Sequence, residues 1–266
     1  MTTVTLPNPQ TSLQIEVRRG PAYWISGYRT MLRWQLASLR TLLPLLTGIQ
    51  ILVGGGFVLG IALLFEDISP TAALYVSSGA PVMNLLMVGL LLGPQLVADQ
   101  KAQHSYDFLQ ALPVPRTMTA LAWYTVTLIG SLPAVVLSLL VAHLRYGITF
   151  TVSPAFVAAV LLTAFTGTML GYALGHALPN PMTIQLAEGV LRFVVFGLSP
   201  ILFPAEQLPG WLAAISWWLP FRHMAVIVRD SLAPEMVADA PISYLVVAIW
   251  GLVGTAIAAW ALGRRR

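Results

Sequence analysis

Only a few residues of this 266-residue chain have side chains and spacings that suggest chemistry. The four histidines, His104, His143, His176 and His223, are far apart, with no H-E-x-x-H and no i,i+4 pair, so the spacing builds no metal site. Lys101 is the sole lysine, and no G-x-x-x-x-G-K-[ST] loop leads to it, so the sequence holds no P-loop for ATP. Cysteine is absent, which excludes disulfides and thiolate ligands, and no G-x-S-x-G elbow occurs. Asp99 and Asp107 share a segment but have no His or Lys constellation for acid–base work, so each reads as a solvated or docking charge. The remaining candidates are Glu188 and Arg192, one helical turn apart in an apolar run. Charges at that depth are costly; they pair with each other or face a cavity, a substrate or a partner subunit. These residues predict recognition and ion pairing, with no catalytic residue, cofactor site or metal site in the chain itself.

The elements that must position them are apolar helices. The chain is 57% hydrophobic and 9% charged, against roughly 25% charged in soluble domains, which predicts an all-α integral membrane protein. Its +4 net charge sits at segment ends, as topology demands, and is no nucleic-acid signal. The preference for Arg over Lys points to a GC-rich bacterial source. Residues 1–20 are polar, carry Pro7 and Pro9, and read as a disordered tail; polar residues before the first apolar run are the wrong order for a cleavable signal peptide. Residues 21–266 read as one transmembrane domain. Spans are predicted at 42–65, 78–97, 118–142, 155–177, 182–203 and 242–262, each approaching the ~20 apolar residues a crossing helix needs.

Ahead of them, residues 22–40 have helical periodicity. Arg29, Arg33 and Arg40 fall within about 40° of one another, Ile25, Leu32, Leu36 and Leu39 form an adjoining apolar side, and Tyr23, Trp24, Tyr28 and Trp34 are interspersed. This pattern suits an amphipathic helix in the membrane interface, or alternatively the basic flank of the first span. With both termini cytoplasmic, ten basic residues fall inside (Arg18, Arg19, Arg29, Arg33, Arg40, Lys101, Arg116 and Arg264 to Arg266). Only Arg145, Arg222 and Arg229 fall outside, which satisfies the positive-inside rule.

Within the spans, Thr163, Gly167, Gly171 and Gly175 form a small-xxx-small stripe suited to close helix packing. The second span contains Pro81 and Asn84 and is expected to end at Gly93-Pro94. The segment 98–116 that follows carries a short helical piece with Phe108, Leu109 and Leu112 as apolar knobs, stopped by Pro113 and Pro115. It suits docking into a groove of another protein, or folding back on the membrane surface. After the fifth span the chain breaks at Ser199-Pro200, stops at Pro204, and restarts at Pro209-Gly210-Trp211 for an apolar piece ending at Pro220. Trp211 to Leu219 would be only ~14 Å long as a helix, too short for a core of about 30 Å. The stretch 204–230 therefore reads as re-entrant, or as a Trp-rich interfacial loop.

Two motifs carry a family resemblance. YDFLQALPVPR, Tyr106 to Arg116, is similar to an acidic-x-Leu-x-x-x-Pro run of ABC-2 type transporter permeases, with Asp107 where that family usually has Glu. SPILFPAEQLPGWLAAISWWLPFRHMAVIVRD resembles the family's later series: Pro204, Pro209, Trp211, Pro220 and Arg229 match, while Pro200 and Leu219 replace the usual Gly and Asn. With the topology, the resemblance covers nearly the whole chain. It implies the membrane subunit of an exporter for a drug, lipid or glycoconjugate, in a bacterial plasma membrane, with membrane lipid around it. The subunit would pair with a second permease chain, identical or different, and rest on a separate cytosolic ATPase that binds ATP and Mg. It also implies roles: coupling to the ATPase for Asp99, Tyr106, Asp107, Phe108, Leu109, Leu112, Arg116, Arg29 and Arg33, and an external gate for Pro204, Pro209, Trp211, Trp217, Trp218 and Pro220. The residues by themselves also admit an ATP-independent six-span carrier or a membrane scaffold.

Overall fold

The computed structural model describes residues 20–64, 68–104, 106, 114–237 and 240–264, with backbone alone at 42 and 43. Asp107, Phe108, Leu109 and Leu112 lie outside the described residues, as does nearly all of the 1–20 tail. Among the described residues there is no strand, and six helices are long and apolar enough to cross a membrane. The chain is an all-α membrane protein.

Helix α1 (Pro21–Leu39) starts on a proline, whose missing N–H costs nothing at a helix start. It turns at residues 40–41 into α2 (Leu42–Leu64), the first span. The buried stripe of α1 is Gly27, Met31 and Gln35, whereas Ile25 of the expected apolar side is 58% exposed. This stripe faces the third span: Gln35 Nε2 donates to Thr119 O at 3.4 Å, and beside the stripe Tyr28 Oη lies 2.9 Å from Thr125 Oγ1. Ile25, Trp24 and Trp34 are left outward for an apolar medium.

The second span is longer than the sequence suggests. It runs as α3 (Pro70–Leu86), a π segment (Met87–Leu92) and α4 (Gly93–Ala102), and does not end at Gly93-Pro94. Ser69 caps its start, its Oγ accepting from Ala72 N at 3.2 Å. A proline inside a regular helix collides with the carbonyl four residues back. Here the wider π turns come just before Pro94, which lets the chain pass it as a helix. At 33 residues the span is ~50 Å long and overshoots a ~30 Å core. Asp99 and Lys101 are therefore on a helix and not in a loop.

Helix α5 (Arg116–Tyr146) is the third span, ended by Gly147 in the left-handed region at φ 66°. Helix α6 (Ala155–Ala177) has the bounds expected of the fourth. Its glycine stripe packs against the second span of the same chain: Gly171 rests on the backbone of Gly89 and Leu90, and a Cβ on Gly175 would lie 3.0 Å from Val97 Cβ. The fifth span is α7 (Pro181–Phe193) with a π segment (Val194–Leu198). It ends at Leu198, short of residue 203, because Ser199 turns to extended backbone before Pro200. Only 17% of this span is buried, against 72% of an 18-residue apolar stretch of the second.

A single 3₁₀ turn (Ala205–Gln207) leads to α8 (Gly210–Trp218), which meets α9 (Pro220–Leu232) at a 79° bend. The sequence reading stops the apolar piece at Pro220 and leaves α9 unrecognised as a core element. Yet Met224, Ile227, Val228 and Leu232 of α9 are fully buried in the main cluster with Leu86, Leu90, Ile201 and Val247. Helix α10 (Ala240–Gly263) is the last span and is stitched to α6 by Thr166 Oγ1, which donates to Val247 O at 3.0 Å.

Candidate functional site

At the α1 end of the bundle, polar contacts tie four spans together in two pairs. Lys101 Nζ donates to Gly175 O and Leu178 O, both at 2.6 Å, satisfying carbonyls at the C-terminus of α6, where a cation also suits the helix dipole. The same ammonium lies 5.0 Å from the ring centroid of Tyr106, which is 4% exposed. The Tyr106 ring is 5.7 Å from that of His176, which lies 4.0 Å from Tyr172. His176 Nδ1–H donates to Tyr172 O at 2.8 Å. Arg116, opening α5, donates to Leu262 O near the end of α10. Of the expected coupling residues, Tyr106 and Arg116 are thus built into the bundle, while Asp99, Arg29 and Arg33 are exposed around it. Sequence reading missed Lys101 and His176 here. The only available signal was that Lys101 is the one lysine in the chain.

At the α8 end, the residues expected at a gate separate by burial. Trp211, Trp217 and Trp218 are 66%, 43% and 77% exposed, Pro209 is exposed, Pro204 is half-buried and Pro220 is buried. Behind them is a buried set of donors. Arg229, counted in the sequence as an outer charge, is 4% exposed. Its Nη2 donates to Ile201 O at 2.7 Å, its Nε donates to Ser78 Oγ at 3.0 Å, and its guanidinium lies 4.1 Å from the Tyr75 ring centroid. Gly79 permits this: the Ile201 carbonyl occupies the place a Cβ would take. One guanidinium thus joins α9, the second span and the break after the fifth.

The bend between α8 and α9 is held in the same way. His223 Nε2–H donates to Trp217 O at 2.8 Å, while Nδ1 sits 2.9 Å from Ser243 Oγ on α10 and accepts its proton in the neutral imidazole. Trp250 Nε1 donates to Trp218 O at 3.0 Å. Helix ends leave carbonyls without intrahelical partners, and these two donors take two of them.

Glu188 and Arg192 meet each other, Arg192 Nη2 to Glu188 Oε1 at 2.6 Å. The carboxylate side chain is 5% exposed and the guanidinium side chain 56%. Among the described residues no group of three or more His, Asp, Glu or Cys could hold a metal ion.

The described residues form a helical bundle with a braced junction at each end. A family model described as ABC-2 family transporter protein matches residues 45–263. No curated protein matches the chain. The family match runs from the first span to the end of the last, and the fold beneath it is a multi-pass helical bundle with a bent helix pair before its last span. The chain therefore belongs to the ABC-2 transporter family and is a membrane permease component of an ABC transporter, a class of transporter domain without an ATPase of its own.

Proposed function

We propose that this permease forms half of an export path for an amphiphilic molecule, a drug, lipid or glycoconjugate, paired with a second permease chain. Each chain rests on a cytosolic ATPase that binds ATP and Mg, in a bacterial plasma membrane with both permease termini cytoplasmic. The segment 98–116 and α1 receive the ATPase stroke through Asp99, Tyr106, Asp107, Phe108, Leu109, Leu112, Arg116, Arg29 and Arg33. The stretch 204–230 closes the far side. The observation that carries this reading is the junction of Lys101, Tyr106 and Arg116. It fastens the two ends of the 98–116 segment, which continue the second and third spans, to the fourth and sixth spans, so a push there is delivered to four helices at once. Glu188 and Arg192 then belong to the wall of the path, since a half-exposed guanidinium is costly against lipid.

Co-purification with the ATPase encoded beside this gene tests the proposal, with wild type run beside a variant carrying Asp107→Ala and Phe108→Ala. A stable wild-type complex with ATP hydrolysis in lipid, both weakened in the variant, is the expected result. Failure of the wild type to bind that ATPase at any ratio would overturn it.

A further inference from the structure

Between α1, the first span, the second span with its π segment and the third span lies a cavity that neither end junction uses. Its lining includes Leu39, Leu46, Gln50, Leu92, Trp123 and Thr127. It measures about 30 Å³, on a scale where one water takes roughly 10–15 Å³. With its open mouth counted, the space is about 410 Å³. Gln50 is 4% exposed, yet its Oε1 has no hydrogen-bond partner, and the buried Nε1–H of Trp123 has none either. Thr127 is in contrast committed, 2.9 Å from both Tyr124 O and Thr168 Oγ1.

The cavity also borders the irregular part of the second span. Leu92 closes the π segment, and π turns inside α-helices recur at functional sites. Gly93 beside it leaves room for the indole: a Cβ there would stand 3.2 Å from Trp123 Nε1. A buried acceptor and a buried donor left empty are each costly in an apolar interior. Placed on one cavity, they call for a ligand that both gives and takes a hydrogen bond. A hydroxyl does this, donating to Gln50 Oε1 and accepting from Trp123 Nε1–H. Among the described residues no charged side chain lines the cavity, so none of them would neutralise an ionic head. The remaining walls, Leu39, Leu46 and Leu92 among them, suit an alkyl chain.

We propose that this cavity is a binding site for a neutral amphiphile with a hydroxyl head, its chain leaving past the corner where α1 turns into the first span. Leu39 ends α1 and Leu46 lies in the first turns of α2, so an occupant sits between that helix and the bundle. The site stands apart from the ATPase reading, and its test needs no ATPase, so the two fail separately.

The chain has no cysteine, so Thr47→Cys puts a single thiol on the cavity wall. The full-length variant in phosphatidylcholine nanodiscs is modified with a membrane-permeant maleimide, with and without 1-dodecanol, and with dodecane as the comparison. Dodecanol is expected to slow modification saturably, and dodecane not to. Adding Gln50→Leu or Trp123→Phe should raise the dodecanol needed about tenfold, by removing one buried hydrogen bond. Trp123→Phe keeps a ring in place and carries the test if Gln50→Leu misfolds. Nanodiscs doped with diacylglycerol separate the two sources of the hydroxyl: slow labelling there without dodecanol makes the ligand a resident lipid, and fast labelling makes it a separate solute. Equal protection by dodecane, no protection by dodecanol, or protection unchanged in both variants would overturn the proposal.

Discussion

Replacing Arg229 by Met tests whether the break after the fifth span is held by a side chain or merely by its own turn. The guanidinium spends its Nη2 on Ile201 O at 2.7 Å and its Nε on Ser78 Oγ at 3.0 Å. Global stability is a poor readout, because losing a buried charge also recovers its desolvation cost, and the two effects oppose each other. Local opening of the 201–208 segment avoids that cancellation. When the segment lifts, the guanidinium stays against Ser78 and Tyr75, and only the bond to Ile201 O is broken. A hydrogen bond to a charged donor contributes about 1.5–3 kcal/mol, so its loss should speed local opening about 10- to 150-fold. Hydrogen exchange in nanodiscs reads this at the amides of Ile201, Gln207 and Leu208, which donate to Ser199 O, Pro204 O and Ala205 O. Ser78→Ala removes the other bond and leaves the hold on Ile201, so exchange there should change less than about threefold. Unchanged exchange in Arg229→Met, or equal acceleration in Ser78→Ala, would refute the argument that Arg229 holds the break.

Other parts of the bundle make separate predictions. Lys101→Met removes two charge-assisted bonds to Gly175 O and Leu178 O and should destabilise the detergent-solubilised protein by about 2–4 kcal/mol in thermal unfolding; a change under about 0.5 would show the junction to be superficial. Gly171→Ala drives a methyl into the backbone of Gly89 and Leu90 and should cost about 1–3 kcal/mol, whereas Gly56→Ala, with open space around it, should fall within ~0.5 kcal/mol of wild type. Arg192→Leu leaves the Glu188 carboxylate buried without its partner, so it should destabilise more than Arg192→Leu combined with Glu188→Gln. A double mutant no more stable than the single would mean that the pair is not coupled.

The parts of this fold legible in the sequence are those set by local length and period. A run such as 155–177 is apolar over the thickness of a bilayer, and its helix has those bounds. Glu188 and Arg192 stand one turn apart, and their ion pair needs nothing beyond the helix that carries both. Where the signal is mixed the reading stops too early. The run from Pro220 to Asp230 interleaves Arg222, His223, Arg229 and Asp230 with apolar residues and so looks like an outer loop, although α9 fills the main core. What makes it buried is remote: Arg229 finds Ser78 and Ile201, which are 151 and 28 residues away, and no local pattern encodes that pairing. The second span is misjudged for a related reason. Pro94 reads as a stop, and only the π turns before it show that the helix accommodates it.

The breaks themselves follow one rule. Prolines at 200 and 220 interrupt the helices, and non-helical backbone at membrane depth survives only where its polar groups are satisfied inside the protein. The donors that satisfy them come from the elements that follow: Arg229 and His223 from α9, and Trp250 from α10, aimed at the carbonyls of Ile201, Trp217 and Trp218. The proline punctuation therefore marks where the chain bends, while α9 and α10 determine that it stays bent. Any rearrangement that opens the stretch 204–230 must either carry these three donors along with their carbonyls or exchange the carbonyls for water. Because α9 is packed into the core through Met224, Ile227 and Val228, Arg229 and His223 move only if α9 does, and Trp250 only if α10 does. The arrangement predicts that any motion of the α8 end is a swing of α8 and its exposed tryptophans about the Trp218–Pro220 bend, with α9 as the fixed side.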